Sequence, residues 1–177
     1  MQLLLKITLC LGVALLSTGI YSIHFSTIGG NDKSMQDYNG KTIMVVVLPT
    51  NTNRADTLLL KSIDSISRAY SEKLSVIAAI SLDDGFYVGN AQYLKNFYSS
   101  FLNPQITITS PMHTRKGAEE KQHELFSWLT HKQKNTHFDL NVSGTGQSFF
   151  INDHGQLYAV INPETKLTQR IIKKILY

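Results

Sequence analysis

Cysteine is almost absent from this chain of 177 residues: the single one, Cys10, lies inside an uncharged apolar stretch near the N-terminus. Once that stretch is set aside the remaining chain carries no thiol, which excludes disulfides, thiolate metal sites and a cysteine nucleophile. Long basic runs are missing as well. No Lys/Arg block exceeds two residues and the net charge is only +4, so the electrostatic footprint of a nucleic-acid binder is not there. The six histidines show no compact ligand spacing such as His-Glu-x-x-His. His123 and His131 stand on one predicted helix, about 12 Å apart along its axis, too far to share an ion directly. No metal and no cofactor is expected. Internal repeats, low-complexity tracts and linkers are lacking too, which leaves one expected domain over residues 23–177.

What is present is a globular composition, 42% apolar and 17% charged, behind an N-terminus of a different kind. Lys6 is followed by residues 7–22, which carry no charge and end in the small residues Ser17, Gly19 and Ser22. This is the pattern of a secretory signal peptide. The run is short for a membrane span, which needs about 20 apolar residues, yet no Ala-x-Ala site is present, so cleaved signal and retained anchor both stay open. Cys10 follows the bulky Leu9, where a lipid-attachment signal wants a small residue, and reads as a hydrophobe of the signal. Export is expected, to the periplasm or cell envelope of a bacterial source, with membrane attachment through residues 1–22 if they are retained.

The chain is organised around Thr42–Tyr70. Thr42-Ile-Met-Val-Val-Val-Leu48 is an apolar, mostly β-branched run that predicts a strand buried on both faces. After the polar break Pro49–Asn53, helical spacing runs from Arg54 to Tyr70, with Leu58, Leu59, Ile63, Ile66 and Tyr70 on one face. Lys73–Ile80 predicts a second buried strand, parallel to the first through a right-handed crossover. Further on, the spacing predicts helices over Phe86–Leu102, Gly117–His131 and Lys166–Tyr177, and a short strand over Gln105–Thr109. Ser148–Ile151 and Gln156–Ile161 flank Asn152-Asp-His-Gly155, a hairpin signal. Ile23–Ile28 is expected to pair with Ser34–Met35 in a small hairpin. A strand that feeds a helix through a polar turn is where α/β proteins place chemistry, because backbone N–H groups point out of the helix start. That turn here holds no Cys, Ser or His.

The order of elements follows the thioredoxin-like pattern, and several segments resemble the glutathione peroxidase family. Tyr38-Asn-Gly-Lys41 before the first strand, Pro111-Met112, Glu124-Leu-Phe-Ser-Trp-Leu-Thr130 and Gln147-Ser-Phe-Phe-Ile-Asn-Asp-His-Gly155 carry the resemblance, which covers most of Phe25–Leu176. It implies an α/β thioredoxin-like fold, a central mixed β-sheet flanked by helices. It also implies peroxide reduction by a cysteine or selenocysteine supported by a Gln, a Trp and an Asn. The position of the nucleophile falls on Asn51, that of the Gln on Asp84, and those of the Trp and Asn on Gly144 and Thr145. Gly146 stands where the wider superfamily places a cis-proline. None of the reaction-centre residues is kept.

Peroxide reduction needs a thiolate that attacks the O–O bond and becomes a sulfenic acid, and neither Asn51 nor Thr52 can replace it. The expectation is therefore a scaffold without its reagent, an inactive relative acting as a binding module. The alternative is the thiol peroxidase, active in oxidative stress, that family membership would imply. A hydrolase or metal enzyme using Asp83, Asp84 and a histidine is the third reading. The crevice at the carboxyl ends of the first two core strands is the expected ligand site, with Thr50, Asn51, Thr52, Asp83, Asp84 and Gly146 as its candidate residues. Its occupant, a small molecule or a protein, is not named by the sequence. Asn141-Val-Ser143 matches a glycosylation acceptor, relevant only in a eukaryotic secretory pathway.

Overall fold

The structure is a computed structural model that describes residues 19–85, 89–117 and 121–177. Most of the predicted export segment, Cys10 included, and the start of the helix expected from Phe86 lie outside the described residues. The described chain enters through a 3₁₀ turn, Ile20–Ser22, and a hairpin of β1 (His24–Ser26) and β2 (Asp32–Ser34). Then come β3 (Thr42–Pro49), α1 (Thr57–Ala69), β4 (Leu74–Ser81), α2 (Ala91–Ser99) and β5 (Thr107–Ile108). The chain closes with α3 (Glu124–Thr130), α4 (Lys132–Asn135), β6 (Ser148–Ile151), β7 (Leu157–Ile161) and α5 (Gln169–Leu176).

The main sheet is mixed and runs β5-β4-β3-β6-β7. β3 lies parallel to β4, with Val46 opposite Ala78, and antiparallel to β6, with Val45 opposite Phe149. The apolar run of β3 explains its central place, since every residue from Ile43 to Leu48 is buried. Its alternate side chains feed two cores. Met44, Val46 and Leu48 pack with Leu60, Ile63 and Ile66 of α1 and with Ile172 of α5. Ile43, Val45 and Val47 face Met35 and the Leu125, Phe126, Trp128 and Leu129 cluster of α3. The predicted core pairings and late hairpin are found, whereas the first hairpin pairs His24–Ser26 with Asp32–Ser34, Met35 opens a 3₁₀ turn, and the short strand is only Thr107–Ile108.

Four helices differ from expectation: α2 spans only Ala91–Ser99, α5 begins at Gln169 behind its Thr168 cap rather than at Lys166, and α1 and α3 also start later. α1 begins at Thr57, not Arg54, because the Asp56 side chain caps it and Thr52–Arg54 forms a separate 3₁₀ turn. Its buried face is Leu60, Ile63, Ile66 and Ser67, whereas Leu58 is 72% exposed. α3 begins only at Glu124, with His123 and His131 as its caps. The His123 ring accepts from Leu125 N at 3.2 Å, and the His131 ring meets Ser127 O at 2.9 Å. The two histidines therefore close the ends of a short helix rather than sharing a face of a long one. Burial pushes the His123 imidazole down, against the opposing charge of Glu124. No helix among the described residues is long and apolar enough to cross a membrane.

Candidate functional site

Residues 50–54 and 81–85 leave the parallel neighbours β3 and β4 side by side, which brings the two predicted loops into contact. A Cβ added at Gly85 would stand 2.9 Å from Asn51 Cβ, 3.0 Å from Asn51 N and 3.1 Å from Thr50 Oγ1. With its φ of +148° as well, this position accepts only glycine without strain. Asn51, the residue at the expected nucleophile position, is already engaged: its side chain accepts from Asn53 N at 3.0 Å and caps the 3₁₀ turn. Thr52 Oγ1 meets the Tyr93 hydroxyl at 3.3 Å. Tyr98 donates to Pro49 O from within the core, and burial raises its phenol well above the ordinary value.

The helix start that would hold an anion or thiolate is closed too. Asp56 Oδ1 accepts from Leu58 N at 2.8 Å and Leu59 N at 3.3 Å. A carboxylate at this point takes the donors and offsets the positive end of the helix dipole.

Asp83 and Asp84 hold the 113–115 loop. Asp83 Oδ2 accepts from Thr114 N at 2.6 Å, Arg115 N at 2.8 Å and Thr114 Oγ1 at 3.2 Å, while Oδ1 lies 2.9 Å from His113 Nδ1. Burial alone would push this carboxyl up, but His113 and the N–H groups of Arg115 and Thr114 outweigh it and hold the group below the ordinary carboxylate range. Asp84 Oδ1 accepts from Arg115 Nη2 at 2.5 Å. Among the described residues three buried polar atoms have no partner, Thr50 Oγ1, Asp84 Oδ2 and Arg115 Nε. No group of three His, Cys, Asp or Glu side chains among them could hold a metal. His113, Thr114 and Arg115 were not foreseen as site residues, since their partners lie about thirty positions away and no local spacing marks them.

Gly146 lies beside β3, with its N–H donating to Val47 O at 2.8 Å. Its φ is +92°, and a Cβ there would come within 3.4 Å of Leu59 Cδ2. Thr145 and Gly146 line an open cleft of about 380 Å³ with Arg54, Leu59, Pro163 and Lys166. A second cleft of about 350 Å³ continues along α1 past Lys61 and Ile66 to Gln169. Leu58, Ser62, Leu167 and Thr168 border both. The predicted residues thus separate into two groups. Thr50, Asn51, Asp83 and Asp84 gather in one corner, whereas Thr145 and Gly146 open onto a groove; Gly144 lies at its edge, about 4.0 Å from Pro163 Cγ if a Cβ is added.

No protein-family model matches this chain, and no curated protein matches it in sequence. Solved structures do match in shape. The apo form of Trgpx superimposes with a TM-score of 0.64 at 17% identity, over 89% of this chain and 93% of that one. A thioredoxin-like protein from Aeropyrum pernix gives 0.57 at 12%, over 87% and 89%. A SCO1/SenC family lipoprotein from Bacillus anthracis gives 0.59 at 12%, over 91% and 94%. The chain has a thioredoxin-like fold; at these identities the likeness extends to the fold alone.

Proposed function

We propose that this chain is an exported, non-catalytic relative of the glutathione peroxidases that keeps the thioredoxin-like scaffold as a binding protein. One observation carries this reading: both reagents of the expected reaction centre are closed off. Asn51 replaces the sulfur and caps its own turn, and Asp56 takes the helix-start N–H groups that would support a thiolate. An amide cannot pass through the sulfenic acid cycle, and a carboxylate at the helix start disfavours any anion beside it. The groove beside Gly146 remains open, so recognition outlasts chemistry here. Residues 1–22 supply the export signal in this reading. The test is peroxide consumption by the purified protein after metal removal, with glutathione or thioredoxin as reductant. The expected result is no turnover above the blank; clear turnover overturns the proposal. Fractionation that finds full-length chain free in the cytosol overturns the export part.

A further inference from the structure

We infer that the groove between α1 and the 163–169 segment docks an extended segment of a partner protein in which apolar residues are flanked by acidic ones. This rests on the reading of the chain as a binding protein and names the ligand class of that same groove.

The two clefts share Leu58, Ser62, Leu167 and Thr168, so they form one trough rather than separate chambers. From Leu58 to Ile66 the trough follows α1 for about 12 Å. An extended chain advances about 3.3 Å per residue, so the trough takes about four residues, with alternate side chains turned inward. Its floor is apolar. Leu59, Ile66, Leu167 and Pro163 line it, and Leu58 stands 72% exposed at the junction of the two halves. A leucine this exposed at the centre of a groove is surface that a partner can cover.

The rim selects the partner. Arg54, Lys61 and Lys166 border the trough, all three exposed. No ion pair among the described residues involves any of them. The one carboxylate on the lining, Asp56, is held by the first turn of α1. The rim is therefore net positive around an apolar floor, which complements a segment of apolar residues flanked by Asp or Glu. The shape points to a protein segment, because a trough open along its length suits an extended chain better than a compact small molecule.

The test uses full-length protein in a mild nonionic detergent and two fluorophore-labelled peptides, acetyl-Glu-Leu-Ala-Leu-Asp-amide and its counterpart with Lys at both ends. Fluorescence polarisation is expected to show saturable binding of the acidic peptide, at least about tenfold tighter than the basic one and weaker as salt rises. The double variant Lys61→Glu/Lys166→Glu is expected to lose that preference. The equally charged control Lys95→Glu/Lys121→Glu is expected to keep it. Lys61, Lys121 and Lys166 are exposed and Lys95 is half-buried, and circular dichroism checks that each variant is folded. Equal binding of both peptides, absence of binding, or the same loss in the control overturns the inference. So does binding of octanoate but not of the acidic peptide, which would make the groove a lipid site. Self-association abolished by Lys61→Glu/Lys166→Glu also overturns it, by making the occupant a second copy. Failure of peptide binding leaves the absence of peroxidase turnover untouched, so the inference and the reading beneath it fall separately.

Discussion

Replacing Asp83 by Asn removes one negative charge from the point where the exit of β4 holds the 113–115 loop. The carboxylate accepts two backbone N–H groups, a threonine hydroxyl and a contact from the His113 ring. Hydrogen bonds to a charged group contribute about 1.5–3 kcal/mol each, and an unsatisfied buried donor costs a similar amount. In the variant one oxygen becomes an NH₂ group, which either faces the N–H groups of Thr114 and Arg115 or faces His113. Because the Asp83 side chain is only 12% exposed, water replaces the lost partner poorly. Allowing for non-additivity, Asp83→Asn is expected to destabilise the protein by about 2–4 kcal/mol. In urea unfolding, with a slope of about 2 kcal/mol per molar, this lowers the midpoint by about 1–2 M. The pH dependence gives a second check. The folded carboxyl titrates below its unfolded value, so its contribution is fully present above the unfolded value of about 3.9 and is lost as pH falls through the folded one. The gap between wild type and variant should therefore close as pH falls well below about 4, where the carboxyl is protonated in both states. A difference below about 0.5 kcal/mol at pH 7, or a gap that does not close in acid, refutes the assigned role of Asp83.

Gly85→Ala drives a methyl group into the Asn51 backbone at 3.0 Å and strains φ at +148°; a loss of about 2–5 kcal/mol is expected in urea unfolding, and a neutral outcome would show that the two loops do not touch. Leu60→Ala is expected to cost about 2–5 kcal/mol, whereas Leu58→Ser stays within about 0.5 kcal/mol, since Leu60 is buried and Leu58 is exposed; the reverse order in thermal unfolding would put α1 in the wrong phase. In a Cys10→Ser background, Asn51→Cys is expected to give a thiol that titrates near the ordinary value of about 8.5 and meets hydrogen peroxide no faster than free cysteine, because Asp56 occupies the helix start. Stopped-flow rates against pH check this, and a thiolate formed well below pH 7 would contradict it.

The sequence by itself determined the sheet and the missing reagent. A run of β-branched residues with no polar member from Ile43 to Leu48 can only be buried on both faces, and the Asn-Asp-His-Gly turn set the late hairpin. Beyond residue 10 the sequence contains no thiol, whichever way its strands pair. The phase of α1 was not legible, because Leu58, Leu59 and Leu60 stand in succession about 100° apart and either flank can face the core. Only packing against β3 selected Leu60 and left Leu58 on the surface beside Gly146 and Pro163. The roles of Asp83 and Asp84 were likewise decided at long range. As a local turn they read as a pair of free carboxylates at a crevice, but Met112 runs alongside Ser81 in a parallel bridge and delivers the N–H groups of Thr114 and Arg115 to Asp83. Half-buried acids take the donors the fold brings to them, and that arrival, which no spacing along the chain records, ties Asp83 and Asp84 to the 113–115 loop.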